Sequence, residues 1–457
     1  MKTVVHVEVL RQERSTVPEG DLKSRVIEEL KTLGGIVPSS VITSFKDPDL
    51  QNHVEEIRVG EVFNSNVENM EVWGKSRIPI EDADIQLYVY RLNHDEFQAE
   101  LITMEDGTEV TCAANHCLLP NIEFHSLWES LVYDSPVKYH LLRCAETTML
   151  FSQKGVNPTI INWNKVVLLH GPPGSGKTSL CKALAQKLSL RLSHIYKCSE
   201  FMEINSHSLF SKYFSESGKL VTEMFNKIKE QLAFKESFVC VLIDEVESLA
   251  RARDAVLAGT EPSDAIRVVN ALLTQIDLIK RYPNVLILTT SNLSSSIDLA
   301  FVDRADLKIY IGPPEVSAIY KIYGSCLEEL IRVKVIESPG ESELSWLSFS
   351  SIKNIVDSNQ SIKDDSLSNH VSRTAEEMET ESGEDAGKNS ECVRNSKHLL
   401  KLSQSSEGLS GRTLRKIPFL THVKFIGSHS VTLEQFLNAM QKTVEENKEE
   451  TSFFLKN

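Results

Sequence analysis

The chain contains a glycine-rich segment whose residue types and spacing suit the binding of nucleotide phosphates. It fits the pattern G-x-x-x-x-G-K-[ST] and comprises Gly171, Pro172, Pro173, Gly174, Ser175, Gly176, Lys177 and Thr178. Glycines allow successive backbone N–H groups to converge on phosphate oxygens, and the start of a following helix adds partial positive charge. The Lys177 ammonium would attract the β- and γ-phosphates, and the Thr178 hydroxyl could hold Mg²⁺. An ordinary Gly/Pro turn is the alternative, but the apolar run before the segment and the helical spacing after it favour a phosphate-binding loop.

Two acidic residues form a second candidate group, at the end of a long apolar run. Residues 238–243 are all apolar and lead directly into Asp244 and Glu245. A buried parallel strand would deliver these carboxylates to the sheet edge where phosphates bind, which favours a catalytic pair over a solvated strand end. Asp244 could help to hold Mg²⁺, and Glu245 could polarise the attacking water. A further apolar run leads to Asn292, whose amide could bond the same water or the γ-phosphate.

The elements around these residues predict three domains. Residues 1–110 are predicted to form a small α+β domain. Apolar residues occupy every second position near the N-terminus, which indicates a strand, and residues 22–33 have helical spacing. An adaptor or recruitment module is the simplest interpretation of this domain. Between residues 111 and 312 apolar strands alternate with helices, which predicts an α/β fold with a doubly wound parallel sheet. Helical spacing dominates residues 313–457, which predicts a helical domain after the sheet.

The third domain contains a stretch of different composition. Residues from about 339 to 397 are rich in Ser, Asp, Glu and Asn and have too few apolar residues to offset the entropy of ordering. The sequence therefore predicts a disordered acidic insert within the helical domain. A helix is expected after it, over residues 432–446, where Thr432 and Gln435 have the spacing of a capping box.

Composition and charge limit the class of protein. A hydrophobic content of 41% can fill sizeable cores, and a net charge of −15 argues against a permanent nucleic-acid surface, although a basic pore within an acidic assembly is compatible with it. The eight cysteines are scattered, and Cys112, His116 and Cys117 lack the second ligand pair that a structural zinc site needs. The sequence shows neither an apolar leader nor an apolar run of membrane-spanning length, so we expect an intracellular soluble protein.

Together these motifs resemble the AAA+ ATPases and, more narrowly, the pachytene checkpoint protein 2 family, also known as the thyroid receptor-interacting protein 13 family. The general resemblance includes GLSGR at residues 408–412 in the helical domain. The narrower resemblance rests on INSHSLFSK at residues 204–212, GTEPSDAIRVVN at 259–270 and FVDRAD at 301–306. It covers roughly residues 115–330 and 399–420, is weaker over the N-terminal domain, and does not extend to the acidic insert. The fold that it implies is an AAA+ α/β domain followed by a C-terminal helical lid.

The resemblance implies a homohexameric enzyme that hydrolyses ATP with Mg²⁺ and remodels HORMA-domain proteins. Such enzymes partly unfold the mobile terminal segment of a client and convert its closed form to an open one. The N-terminal domain would receive the client or a HORMA-fold adaptor, and Tyr213, with Phe214 beside it, would be the pore-loop aromatic that grips the threaded chain. The implied setting is control of the meiotic chromosome axis and recombination, and spindle checkpoint signalling. The implied location is the nucleus and chromosomes, with the cytoplasm as a second compartment. Direct contact with nucleic acid or a membrane is not expected.

The resemblance also assigns roles within the nucleotide site. Walker A would include Lys177 and Thr178, Walker B would be Asp244 and Glu245, sensor 1 would be Asn292, and sensor 2 would be Arg412. The general AAA+ pattern has two arginines in the segment after the sensor 1 strand, whereas residues 303–306 offer only Arg304. Arg304 is therefore the candidate arginine finger, with an ion pair to Asp303 or Asp306 as the open alternative and Arg267 as the reserve candidate.

Other functions remain as alternatives. A non-enzymatic nucleotide switch or scaffold would need a damaged hydrolytic set, but Glu245, Asn292 and Arg412 are all present. A DNA-directed motor is less compatible with the acidic balance and with an aromatic residue in the pore loop. An AAA+ motor that acts on other protein or nucleic-acid clients is the remaining alternative to a HORMA remodeller.

Overall fold

The chain folds into two compact units. A computed structural model describes residues 2–60, 62, 77–103, 109–205, 217–248, 264–292, 299–337, 346–364, 383–427 and 430–456. The first unit comprises Met1–Leu131, Pro136–Gly171 and Lys177–Tyr310, and the second comprises Val132–Ser135, Pro172–Gly176 and Ile311–Asn457. The glycine-rich segment is therefore divided, because its middle residues belong to the second unit while Gly171 and Lys177 belong to the first.

A small sheet forms the N-terminal part of the first unit. Its strands are β1 (Thr3–Arg11), β2 (Val41–Ile42), β3 (Val54–Val59) and β4 (Ala83–Tyr90), in the order β2-β3-β1-β4. Strand β1 is antiparallel to β3 and parallel to β4, and its Val5, Val7 and Val9 are fully buried, as their alternation predicts. Helices α1 (Glu19–Thr32) and α2 (Pro48–His53) add Leu22 and Leu50 to the same core. The predicted α+β domain is present.

The larger sheet of the first unit contains the strands that the sequence predicts for the α/β domain, together with two strands, over residues 98–103 and 109–119, that it does not predict. They are β5 (Gln98–Thr103), β6 (Glu109–Leu119), β7 (Val166–His170), β8 (Cys198–Asn205), β9 (Ser237–Asp244), β10 (Val285–Ser291) and β11 (Leu307–Tyr310), in the order β11-β7-β10-β9-β8-β6-β5. The five strands from β7 to β11 are parallel, whereas β6 is antiparallel to β8 and β5 is antiparallel to β6. This arrangement confirms the α/β class and adds an antiparallel edge to the parallel sheet.

Strand β5 shows that the first domain boundary departs from residue 110. Residues 98–103 pair with β6 in the larger sheet and make no pairing with the small one. The change of sheet therefore falls between Tyr90 and Gln98, within the residues that the structure describes there. Sequence alternation does not reveal this, because a half-buried strand has the same pattern in either sheet.

Helices pack on the larger sheet, and the ends of its parallel strands meet at a common edge. The helices are α3 (Leu127–Ser130), α4 (Val137–Gln153), α5 (Lys177–Arg191), α6 (Ser217–Leu232), α7 (Asp264–Ile279) and α8 (Leu299–Arg304). Every residue of β10 is buried, and it lies between β7 and β9 with Ser291 opposite His170 and Thr289 opposite Ile243. The carboxyl ends of β7, β9 and β10 therefore meet at one edge, where the parallel strands direct their terminal polar residues.

A buried ionic network joins α5 to the small sheet. Lys187 Nζ contacts both carboxylate oxygens of Glu8, at 2.7 and 2.6 Å, and Glu129 Oε1 at 2.7 Å. Arg58 Nη1 contacts the other Glu129 oxygen at 2.7 Å. Burial opposes ionisation of Glu129, but Lys187 and Arg58 outweigh it and lower its pKa from 4.5 to about 2. The helix that begins at the phosphate-binding lysine is thus tied to the N-terminal sheet at its other end.

The second unit is helical, as predicted for the C-terminal domain. Its described helices are α9 (Val316–Arg332), α10 (Phe349–Asp364), α11 (Gly383–Ser405), α12 (Gly411–Phe425) and α13 (Leu433–Lys456). Their apolar faces form one core that includes the fully buried Tyr323, Phe436 and Met440. Thr432 and Gln435 exchange the two hydrogen bonds of the predicted capping box, each at 3.4 Å.

The stretch predicted as a disordered insert, residues 339–397, departs from that expectation at both ends. Helix α10 occupies residues 349–364 and buries Ile352 completely in the core of the second unit. Helix α11 begins at Gly383, and the buried Ser396 hydroxyl accepts the backbone N–H of Leu347 at 3.1 Å. The stretch is polar on average, but it contains apolar residues at helical spacing. Burial of these residues stabilises their helix. Residues 365–382 lie outside the described residues.

Candidate functional site

The predicted phosphate-binding lysine opens helix α5 at the carboxyl edge of the sheet. Lys177 is only 5% exposed, and its Nζ donates to the carbonyl oxygen of Gly171 at 3.0 Å. Burial and the charge of Lys177 lower the pKa of the neighbouring His170, which keeps that imidazole neutral at pH 7. Of Lys177 and His170, the lysine therefore provides the positive charge at this edge, at the start of a helix whose N-terminal N–H groups also favour anions.

Thr178 and Asp244, the predicted magnesium ligands, are in direct contact. The Thr178 hydroxyl lies 3.0 Å from Asp244 Oδ1 and 3.2 Å from Oδ2. Strand β9 ends at Asp244, and all seven residues before it in the strand are buried. A hydroxyl and a carboxylate on two rigid elements form the oxygen-rich ligand set that Mg²⁺ favours alongside nucleotide phosphates.

Glu245 and Asn292, the predicted catalytic acid and its amide neighbour, also meet. Asn292 Nδ2 donates to Glu245 Oε1 at 3.2 Å. Glu245 has a backbone φ of +58°, in the left-handed region that a residue with a side chain seldom adopts. This backbone turns the chain sharply at the end of β9, so that the two successive acids, Asp244 and Glu245, face different partners.

Sequence reasoning did not identify Thr290, which touches both acids. Its hydroxyl donates to Asp244 Oδ1 and accepts the backbone N–H of Glu245 at 3.2 Å. A threonine within a strand is ordinary, because β-branched residues favour that conformation. The signal available in the sequence was weak: polar residues replace apolar ones in the last three positions of β10.

The second unit contains the apex of the glycine-rich segment and the predicted sensor 2 residue. Gly174 and Gly176 have φ values of +77° and +89°, a backbone conformation that favours glycine at both positions. The backbone N–H of Arg412 donates to the Gly174 carbonyl at 3.1 Å, and the Arg412 side chain is exposed. A Cβ at Gly174 would lie 2.9 Å from Ser410 Oγ, the side chain that caps the start of α12. The start of helix α12 therefore packs directly against the glycine-rich loop.

The loop also offers a polar atom to a nucleotide. Ser175 is 9% exposed, and its buried hydroxyl oxygen has no hydrogen-bond partner among the residues that the structure describes. An orphaned buried hydroxyl costs free energy unless a ligand satisfies it. Together with the backbone of Gly174 and Gly176, this hydroxyl makes the apex of the segment suited to phosphate oxygens.

The candidate arginine finger is held by a partner other than those considered from the sequence. Arg304, at the end of α8, makes two contacts with the carboxylate of Asp277 on α7, at 3.1 and 2.7 Å, rather than with Asp303 or Asp306. Burial alone would raise the pKa of Asp277, but hydrogen bonds from Arg304 and Lys280 lower it. Within one chain, Arg304 is therefore part of an intrachain ion pair.

The remaining predicted residues are placed less fully. Arg267, the reserve candidate, is an exposed residue of α7, whereas Tyr213 and Phe214 lie outside the described residues.

None of the described helices has the length and apolarity of a membrane span. The described residues also contain no cluster of three or more His, Cys, Asp or Glu side chains suited to a metal, and described Cys117 is buried and free.

Family models match most of the chain. The model of the "TRIP13 N-terminal domain" matches residues 1–95, and that of the "ATPase family associated with various cellular activities (AAA)" matches residues 167–313. The model of the "TRIP13-like, AAA+ ATPase lid C-terminal domain" matches residues 315–387 and 353–448. The three models follow the small sheet, the larger sheet and the helical unit in order.

Individual relatives show the same relationship over nearly the full length. The pachytene checkpoint protein 2 homolog of Mus musculus is 48% identical over 98% of this chain and 94% of its own length. The human homolog is 47% identical over 98% of this chain and 94% of its own length. The structure of Caenorhabditis elegans PCH-2 is similar with a TM-score of 0.71 and 33% identity, covering 98% of this chain and 100% of that one. The chain therefore belongs to the pachytene checkpoint protein 2 family and is an AAA+ ATPase.

Proposed function

We propose that this ATPase is a homohexamer that converts HORMA-domain proteins from a closed to an open form. Its proposed setting is meiotic chromosome-axis and recombination control together with spindle checkpoint signalling, in the nucleus and on chromosomes, with the cytoplasm as a second compartment. The observation that carries the proposal is the contact of the candidate residues Thr178 with Asp244 and Asn292 with Glu245, in a chain that is 48% identical to its mouse relative over 98% of its length. A scaffold that no longer turned over nucleotide would not need these contacts.

The residues at the sheet edge have different proposed roles in hydrolysis. Lys177 and the glycine-rich loop would bind the phosphates, and Thr178 and Asp244 would hold Mg²⁺. Mg²⁺-ATP, when bound, supplies the phosphoryl group and part of the charge that stabilises its transfer. Glu245 orients the attacking water and takes its proton, while the 3.2 Å hydrogen bond from Asn292 holds the carboxylate in place.

Two arginines have further proposed roles in hydrolysis. Arg412 is at the start of α12, whose backbone bonds to the Gly174 carbonyl at 3.1 Å, so movement of α12 is transmitted to the phosphate-binding loop. Arg304 is the candidate finger that one subunit supplies to the nucleotide of the next. Its pairing with Asp277 keeps the guanidinium oriented while leaving its side chain 26% exposed.

The chemical roles can be tested by two substitutions with opposite expectations. Glu245→Gln should retain ATP binding and lose turnover by about 10²–10⁴-fold, the contribution of a general base. Lys177→Ala should instead lose binding, because it removes the charge that attracts the phosphates. Binding of a fluorescent nucleotide and steady-state release of phosphate measure the two effects separately. Normal hydrolysis by Glu245→Gln would show that the Walker B assignment is incorrect.

Remodelling requires an assay with a client. A closed HORMA-domain protein, ATP and an adaptor would be incubated with the enzyme, and opening would be followed by protease sensitivity of the client's terminal segment. Tyr213→Ala should hydrolyse ATP at a near-normal rate and fail to open the client, whereas Tyr213→Phe should retain opening because it keeps the aromatic surface. Opening by the alanine variant at the normal rate would contradict threading through this residue.

The same preparation can distinguish other clients. The net charge of −15 disfavours a nucleic-acid client, so mobility shifts with DNA should be weak at low salt and absent at high salt. Tight DNA binding that persisted at high salt, together with no effect on a HORMA protein, would favour the alternative of an AAA+ motor with other clients.

A further inference from the structure

Thr290 lies at the point where the two acids of the nucleotide site leave strand β9. It is 1% exposed and is the sixth residue of β10, the strand beside β9. Its hydroxyl donates to Asp244 Oδ1 and at the same time accepts the backbone N–H of Glu245 at 3.2 Å. One hydroxyl can do both, because it has one donor hydrogen and two acceptor lone pairs.

The backbone of the same residue holds the next position of the turn. The N–H of Val246 donates to the Thr290 carbonyl oxygen at 2.9 Å. Three consecutive residues, Asp244, Glu245 and Val246, are therefore bonded to one residue of the neighbouring strand. Glu245, in the middle, has the unfavourable φ of +58°, and such a conformation persists only where surrounding contacts enforce it. Ser248 adds further bonds to the Glu245 carbonyl, at 2.9 and 3.1 Å.

These contacts orient both acids for their proposed functions. On one side, the carboxylate of Asp244 is oriented toward Thr178, whose hydroxyl lies 3.0 Å from Oδ1. On the other side, the backbone direction at Glu245 decides whether its carboxylate reaches Asn292, now 3.2 Å away. We propose that Thr290 is a positioning residue that fixes the metal-binding carboxylate and the water-activating carboxylate relative to each other. This inference rests on the roles proposed above for Asp244 and Glu245.

A merely structural role is the competing explanation, and the chain offers a matched control for it. Thr289 precedes Thr290 in β10, is also 1% exposed, and donates its hydroxyl to the Val167 carbonyl at 3.0 Å. Thr289→Val and Thr290→Val therefore remove the same group from the same buried strand. Only the second removes a contact with the acids.

The test compares Thr290→Val, Thr290→Ser and Thr289→Val in the full-length protein. Thr290→Val should lower kcat by about tenfold, in keeping with the loss of a hydrogen bond to a charged group, and leave the KM for ATP within about twofold. It should also raise the Mg²⁺ concentration for half-maximal activity several-fold. Thr290→Ser keeps the hydroxyl and should restore most of kcat. Thr289→Val should lower the melting temperature and leave kcat and the Mg²⁺ requirement close to wild type.

A readout without nucleotide separates positioning from activity. Hydrogen exchange of the free enzyme should be faster at the Glu245 amide in Thr290→Val, which removes its acceptor, and unchanged there in Thr289→Val and Thr290→Ser. Unchanged exchange at Glu245, or equal losses of kcat in Thr289→Val and Thr290→Val, would overturn the inference. Glu245→Gln is measured in the same series: if it is inactive while Thr290→Val behaves as wild type, the inference fails and the proposed roles stand. If Glu245→Gln hydrolyses ATP normally, the proposed roles fail, and the inference fails with them.

Discussion

Replacing Lys187 with methionine should leave the buried carboxylate of Glu8 without its cation and Glu129, 36% exposed, with Arg58 as its remaining cation. The ammonium contacts Glu8 at 2.7 and 2.6 Å and Glu129 at 2.7 Å. The side chains of Lys187 and Glu8 are only 8% and 4% exposed, so water cannot replace the lost partner. Methionine keeps the length of the apolar stem, so the change removes the charge while altering the packing little.

The magnitude follows from this burial. Removing one partner of a buried ion pair costs about 3–5 kcal/mol, because the remaining charge stays desolvated. An exposed pair contributes only about 0–1 kcal/mol. Lys197 and Glu236 provide the control: they are 2.7 Å apart, and their side chains are 78% and 68% exposed. Lys197→Met should therefore change the free energy of unfolding by no more than about 1 kcal/mol.

The effect should depend on pH in a defined direction. Lys187 and Arg58 overcome the opposing effect of burial and lower the pKa of Glu129 from 4.5 to about 2. A carboxyl group whose pKa is lowered on folding contributes stability above its unfolded pKa and loses it as the pH falls toward the folded value. The difference between wild type and Lys187→Met should therefore be full above about pH 4.5 and shrink between pH 4.5 and pH 2.

Urea denaturation of wild type, Lys187→Met and Lys197→Met at pH 7 and pH 3.5 measures these differences. The double variant Glu8→Gln with Lys187→Met should recover part of the loss, because it removes one stranded charge. Equal unfolding midpoints for the two lysine variants at pH 7 would refute the reasoning that the network is buried and energetically coupled. A loss that grew toward pH 3.5 would refute the assigned sign of the linkage.

Three further predictions concern the loop, the arginine and the acidic stretch. Gly174→Ala should weaken ATP binding by about tenfold or more, since the positive φ alone costs about 1–2 kcal/mol, whereas Gly408→Ala, at φ +88° with nothing within 4 Å, should leave the nucleotide titration unchanged. Arg304→Ala should lower turnover by about 10³-fold or more at normal ATP affinity if it is the finger, and Asp277→Asn much less; equal, small losses of turnover in the two variants would indicate a purely structural ion pair. Replacing residues 365–382 by a short Gly/Ser linker should leave the melting temperature and basal ATPase rate nearly unchanged, and a fall of several degrees would show that these residues pack.

The helical unit shows where composition misleads. Averaged over residues 339–397, the sequence is polar and acidic and predicts disorder, yet Ile352 within it is fully buried in the core of the second unit. A helix needs only one apolar residue per turn on one face to join a core, and an average over a long window does not detect that spacing. The capping pair Thr432 and Gln435 was predictable, because both partners are three residues apart in the chain.

The sequence by itself determined the features that depend on neighbouring residues in the chain. The glycine-rich segment, the apolar strand that delivers Asp244 and Glu245, and the strand that leads to Asn292 all depend on local spacing, and they were sufficient for a resemblance that the relatives confirm. Local spacing fixes which residues reach a strand end or a helix start. It does not fix which side chain from another strand or helix each of them meets.

Tertiary structure alone decided those partners. Thr290 meets the Glu245 amide across 45 residues, Arg304 meets Asp277 across 27, and Lys187 meets Glu8 across 179. The first contact exists because β10 pairs with β9, and the last because α5 packs against the small sheet. Contacts of this kind depend on strand order and helix packing, which the sequence specifies only through the burial of the whole core.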